Sequence, residues 1–173
     1  MTSFDRVRLA SFILLVHACT GPCPVLAQDH TMHYFIGDWR LMVWGDPDTM
    51  RAPDGVGEWR LDNGLDGALA LTGQVLLPEE NRIMTRELIS YDPDGGRFRR
   101  SIVSDDSTLY LFDSSGWTGD SLEWNGTAVR STGRVLMREV VHRKGPDLFE
   151  AVFLVREGLS WVPVSWERLS RIK

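Results

Sequence analysis

Chemistry has few places to start in this chain. His142 closes the run Arg138-Glu-Val-Val141 and abuts Arg143-Lys144-Gly145, while His30 and His33 lie far upstream. Zinc needs three or four ligands converging on a tetrahedron, and neither a His-Glu-x-x-His helix nor a clustered histidine set is present. Asp46, Asp48 and Asp54 share one loop, but their spacing lacks the alternation and closing glutamate of a calcium loop. Ser114-Ser-Gly-Trp117 is no Gly-x-Ser-x-Gly elbow, and the pairs Asp105-Asp106 and Glu79-Glu80 fall among turn residues. No general acid, base, nucleophile or metal ligand is assigned from these patterns.

Tryptophans and in-strand charges offer more. All seven tryptophans follow residue 38. Strand alternation puts Trp59 and Leu61 on one face of their segment, and Phe149, Ala151 and Phe153 on one face of another. Arg86, Glu87, Arg138 and Glu150 interrupt strand-like segments, so they face either solvent or the interior. Unpaired burial is costly, so inward ones would pair with each other or with a ligand's polar head. On this reading the candidate ligand contacts are Trp59, Arg86 and Trp166, with Trp161 a further lining residue. Trp39 is expected to plug the core, and an exposed apolar patch around Trp44 or Trp117 would favour a binding surface outside the barrel.

The elements that must position these residues are short strands separated by turns. Ten are expected: 39–44, 57–61, 67–77, 82–91, 98–103, 108–112, 121–124, 133–142, 148–155 and 161–171. Asp92-Pro-Asp-Gly-Gly96 is the strongest hairpin signal, because proline presets one turn dihedral and glycine supplies the other. Asp62-Asn-Gly64 and Asn125-Gly126 also read as turns, and the Asn125-Gly-Thr127 glycosylation triplet is taken as turn chemistry. No helix-length amphipathic stretch interrupts the strands. The expected fold is all-β: one up-and-down antiparallel barrel of about ten strands, or failing that a sandwich.

The amino terminus reads as an export signal. Arg6 and Arg8 precede the apolar run Leu9–Val16, and Pro22, Pro24 and Val25-Leu-Ala27 follow, the order of a secretory leader. The apolar run is far shorter than the roughly twenty residues a membrane-crossing helix needs, so no integral span is expected. Cleavage after Ala27 divides the chain into a signal peptide, 1–27, and a barrel domain, 28–173, and directs it to the periplasm or beyond. Alternatively, Val16-His-Ala-Cys19 would place Cys19 for lipidation and anchor the protein. Cys19 and Cys23 are the only cysteines, so cleavage after Ala27 leaves none. The remaining 146 residues carry 17 basic against 23 acidic side chains, and without clustered Lys and Arg no nucleic-acid partner is expected. The oligomeric state is not readable from these features.

Gly37-Asp-Trp39, after the short segment Met32-His-Tyr-Phe-Ile36, resembles the Gly-x-Trp signature of the calycin barrels, which include lipocalins, fatty-acid-binding proteins and nitrobindins. The resemblance implies a short helical turn closing one barrel end, with an arginine of the last strand stacked over the tryptophan. Arg168 and Arg171 are the available partners for Trp39 in that clasp. Phe35-Ile-Gly-Asp-Trp39, Tyr91-Asp-Pro-Asp-Gly-Gly-Arg-Phe98 and Gly116-Trp-Thr-Gly-Asp-Ser-Leu122 are similar in order and spacing to the bacterial domain of unknown function 1579. That family supplies no activity to carry over. The nitrobindin likeness would make His142 an axial haem ligand, although its place beside a turn suits an exposed histidine; otherwise no cofactor is expected.

Function read this way is a non-enzymatic exported barrel holding a small apolar or amphipathic molecule. An enzyme working in the same lumen, or an envelope interaction module, are the alternatives. The polarity and shape of the interior separate the three.

Overall fold

The computed structural model describes residues 32–64, 68–77 and 81–173. The expected leader with Cys19, Cys23 and the Ala27 cleavage site, along with His30 and Glu79-Glu80, lies outside the described residues. A 3-10 turn, His33–Phe35, is followed by β1 Gly37–Trp44, β2 Gly55–Asn63, β3 Leu69–Leu76, β4 Arg82–Asp92, β5 Arg97–Ser104 and β6 Leu109–Ser114. The two-residue β7, Trp117–Thr118, then precedes β8 Ser121–Arg130, β9 Gly133–Gly145, β10 Leu148–Glu157 and β11 Ser160–Arg171.

Consecutive strands pair antiparallel except β6 and β7, β1 pairs with β11, and β6 pairs with β8. The ring therefore closes through ten strands, with β7 an extra ribbon against β8. Closure removes the unpaired edges that an open sheet exposes. Antiparallel neighbours need only tight turns, which is why Gly, Asp and Asn recur between the strands.

One expected turn is absent. Asn125-Gly126 lies inside β8, where Asn125 faces Arg138 and Gly126 faces both Phe112 and Met137. Pairing to a strand on each side overrides the local turn preference; the chain reverses instead between Arg130 and Gly133.

Alternation sorts the side chains cleanly. Trp39 and Leu41 of β1, Leu61 of β2, Leu69 and Leu71 of β3, Phe112 of β6, Trp124 of β8 and Phe149 of β10 are buried inward. One barrel end is plugged by the 3-10 turn: Phe35 packs 5.2 Å from Phe149 and 5.5 Å from Trp117, and Trp39 lies 4.9 Å from Phe149, centroid to centroid. Fully burying one such ring stabilises by about 1.5–3 kcal/mol.

Arg171 ties the plug to the wall. Its guanidinium lies 4.2 Å from the Trp39 ring centroid and donates to the carbonyls of Ile36 (2.6 Å) and Tyr34 (2.9 Å). Trp39 Nε1 in turn donates to the Phe35 carbonyl at 2.7 Å. Gly37 makes room for this: its φ is +126°, and a Cβ there would stand 2.6 Å from Arg171 Nη1. Arg168 points outward instead, with its guanidinium 5.7 Å from the Trp44 centroid and 2.8 Å from Glu150. It has no part in the clasp.

Candidate functional site

Ten strands enclose more room than their side chains fill. A cavity of about 330 Å³ remains, lined by Leu41, Val43, Trp59, Tyr110, Phe149 and Phe153 among other apolar groups, and by four charged side chains: Glu87, Arg100, Glu139 and Glu167. Arg130, exposed at the end of β8, marks the mouth. Part of the space comes from the β2–β3 wall, where the indole of Trp59 lies across Gly73. A Cβ on Gly73 would stand 2.7 Å from Trp59 Cδ1.

Strand parity explains why charge is inside. Glu87 occupies the same face of β4 as Ile89, Arg100 lies between Phe98 and Ile102 on β5, Glu139 between Met137 and Val141 on β9, and Glu167 two residues before Leu169 on β11. Arg100 Nε donates to Glu87 Oε2 at 2.7 Å, and Arg100 Nη1 donates to Glu139 Oε2. Trp59 Nε1 donates to the other Glu87 oxygen at 3.2 Å. The Arg100 guanidinium also lies 6.0 Å from the Trp59 ring and 5.7 Å from the Trp124 ring. Arg100, Glu87 and Glu139 are all buried, so this is a buried, paired triad of charges. Breaking such a group on one side only is costly.

Glu167 differs from the other two acids. It lines the same cavity but carries no hydrogen bond or ion pair to any described residue. Burial, reinforced by Glu139 and Glu87 and only partly opposed by Arg100, pushes its carboxyl up to about 8. Burial likewise raises Glu139, although Arg100 opposes the shift. For Arg100, burial would favour the neutral form, but the two carboxylates outweigh it and hold the guanidinium above its ordinary value. At neutral pH the lumen thus presents a fixed cation between acids and, facing it, a protonated carboxyl able to donate a hydrogen bond.

The ligand contacts expected from sequence scatter. Trp59 faces the lumen and forms part of its polar lining. Arg86 is exposed on the outer wall, because its parity is opposite to that of Glu87; a lumenal role for it is corrected on that ground. Trp166 also falls outside: it pairs across from Trp44 on the face opposite Glu167 and Leu169. Trp161 is outward as well, with Arg138 4.6 Å from its centroid. Sequence reading passed over Arg100, Glu139 and Glu167, although each sits at an inward position of an alternating segment, and that parity was the available signal.

Neither tryptophan expected at a surface patch heads one. Trp44 is 2 % exposed, roofed by the 45–54 loop through a bond from its Nε1 to the Arg51 carbonyl, while Arg51 grips Asp46 and Asp54. Trp117 is half-buried, with the Arg143 guanidinium 4.2 Å from its centroid and equally 4.2 Å from that of Tyr34, whose ring meets Trp117 edge-on at 5.7 Å.

The histidine that the nitrobindin likeness would make a haem ligand does not face the lumen. His142 is exposed on the outside of β9, 2.9 Å from Ser121, and His33 is exposed beside the plug. No described lining residue of the lumen is a histidine. Among the described residues no helix is long and apolar enough to cross a membrane.

No family model matches the chain, and no curated protein matches it. Among solved structures it is similar to Rv2717c from M. tuberculosis, at 16% identity and a TM-score of 0.62, over 83% of this chain and 96% of that one. The likeness is one of fold: both chains are built on the same kind of antiparallel barrel.

Proposed function

We propose that this protein is a non-enzymatic calycin-type barrel that holds a small amphipathic molecule in its lumen. The observation that carries the reading is the cavity itself, about 330 Å³ of aromatic and aliphatic wall meeting one cluster of polar groups. Binding pockets characteristically combine an apolar lining with a few placed polar groups. The apolar wall would take the body of the ligand, and the Glu87–Arg100–Glu139 array with Glu167 would take its head. Membership of the calycin barrels is supported by the Gly37-Asp-Trp39 sequence and the Arg171 clasp over Trp39. The leader pattern supports export to the periplasm or the exterior.

Purification from the native host, followed by denaturation and mass spectrometry of the extract, tests the binding role. A co-purifying amphiphile whose return raises the melting temperature is the expected result. Neither a retained molecule nor a response to any of a panel of lipids and aromatic probes would sink it. One observation favours a second reading, catalysis on a small molecule in the same space: Glu167, its carboxyl pushed up to about 8 by burial, lines the cavity together with the ion-paired Glu87 and Glu139, and a carboxyl with a raised pKa is a common general acid. Chemical conversion of the retained molecule, abolished in Glu167→Gln, would select that reading over simple binding.

A further inference from the structure

The lumen carries more acid than base. Three carboxyl groups face one buried guanidinium, and two of them are committed to it. The third, Glu167, points into the cavity without a partner among the described residues. The rings of Trp59, Tyr110, Phe149 and Phe153 border the same space, and aromatic faces attract alkylated ammonium groups. An anionic head entering here would displace no acid from Arg100 without breaking the triad, and would meet Glu167 and Glu139 besides. Resting on the lumenal binding reading above, we infer that the ligand class is an amphipathic cation, an organic ammonium whose charge pairs with Glu167.

Proton balance follows from the site. The charged or titratable groups facing Glu167 across the cavity are Glu87 of β4, Arg100 of β5, Tyr110 of β6, Arg130 of β8 and Glu139 of β9. Its own register neighbours on β1 and β10 are Val43 and Ala151. With Glu167 protonated at neutral pH, an incoming quaternary ammonium, which has no proton to lose, forms its ion pair only as the Glu167 carboxyl releases one proton to solvent. Affinity therefore rises with pH until Glu167 is already ionised in the free protein.

Calorimetric titration of the purified protein with phenyltrimethylammonium, its neutral isostere tert-butylbenzene, and benzoate tests this between pH 6 and 9. The cation is expected to bind about tenfold or more tighter than the isostere at pH 8.5, and to weaken by up to about tenfold per unit below pH 8 as proton release becomes costly. Glu167→Gln should erase both the preference and the pH dependence while leaving the isostere's affinity in place. Equal or tighter binding of the isostere or of benzoate at pH 8.5, where Glu167 is ionised most readily, overturns the cation inference and leaves the lumenal role standing. A cation preference that survives Glu167→Gln removes Glu167 as its partner and overturns the assignment. Failure of all three probes to bind at any pH overturns the lumenal role together with the inference.

Discussion

Replacing Glu167 with glutamine should make the protein more stable at alkaline pH and unchanged at acid pH. In the unfolded chain this carboxyl titrates near its ordinary 4.5, and in the barrel it is pushed up to about 8 by burial and by Glu139 and Glu87. The folded protein therefore holds a proton that the unfolded chain has released at any pH between those values. Stability contributed by the group is complete below pH 4.5, falls as pH rises, and levels off once the folded carboxyl ionises above pH 8. Each unit of pKa difference is worth about 1.4 kcal/mol, and because Glu167 is only partly buried by accessible surface solvent screening reduces the full difference, so a loss of about 2–4 kcal/mol across the window is expected. Glutamine has nearly the same shape and never ionises. Urea unfolding followed by tryptophan fluorescence at half-unit steps from pH 4.5 to 9 should show wild type and Glu167→Gln within about 1 kcal/mol at pH 5, then diverging in favour of the variant. Shifts of acids elsewhere, such as Asp54 and Asp92, which Arg51 and the Gly95 amide respectively hold low, cancel in the difference. Parallel curves across the whole range would refute the claim that the lumen holds Glu167 with a raised pKa.

The same lumen and its plug yield three further expectations. Arg100→Met leaves Glu87 and Glu139 buried without their cation, and should cost about 3–5 kcal/mol in urea unfolding at pH 7; adding Glu87→Gln and Glu139→Gln should restore most of that loss. Arg171→Leu removes two charge-assisted bonds and the stack on Trp39, and should cost about 2–4 kcal/mol, with faster amide exchange confined to residues 32–39 as the plug loosens. Gly73→Val forces the Trp59 indole off the β3 wall, and should shift the Trp59 fluorescence and weaken any lumenal probe about tenfold, whereas Gly133→Ala, at a turn with no heavy atom within 4 Å of a new Cβ, should leave probe binding unchanged.

How much of this was legible in the chain depended on the distance between the residues concerned. Alternation placed Trp59 and Leu61 on one face, and Phe149, Ala151 and Phe153 on one face, because a side-chain period of two is local to a strand. Turn chemistry separated ten strands in the right order for the same reason. Asn125-Gly126 misled because its turn preference is worth less than the two ladders that β8 forms with β6 and β9. Arg86 and Glu87 are adjacent, and nothing local to that segment decides which of two charged neighbours turns inward until one wall of the barrel faces another.

The sequence by itself determined an all-β chain of short strands, with a Gly-Asp-Trp opening whose tryptophan would seek an arginine near the carboxyl end. Local dihedral preference and alternation suffice for the strands, while the arginine partner is what the resemblance of Gly37-Asp-Trp39 to the calycin signature implies. Only the tertiary structure decided that Arg171 and not Arg168 stacks on Trp39, since three positions along a strand put the two arginines on opposite faces. Only ring closure decided the site. Glu87 and Arg100 are diagonal neighbours on the adjacent strands β4 and β5, but Arg100 and Glu139 lie 39 residues apart, on strands whose separation across a lumen is set by how many strands close the ring. With that number settled at ten, four charged side chains share one cavity, three in a bonded triad, and Glu167 is left facing open space.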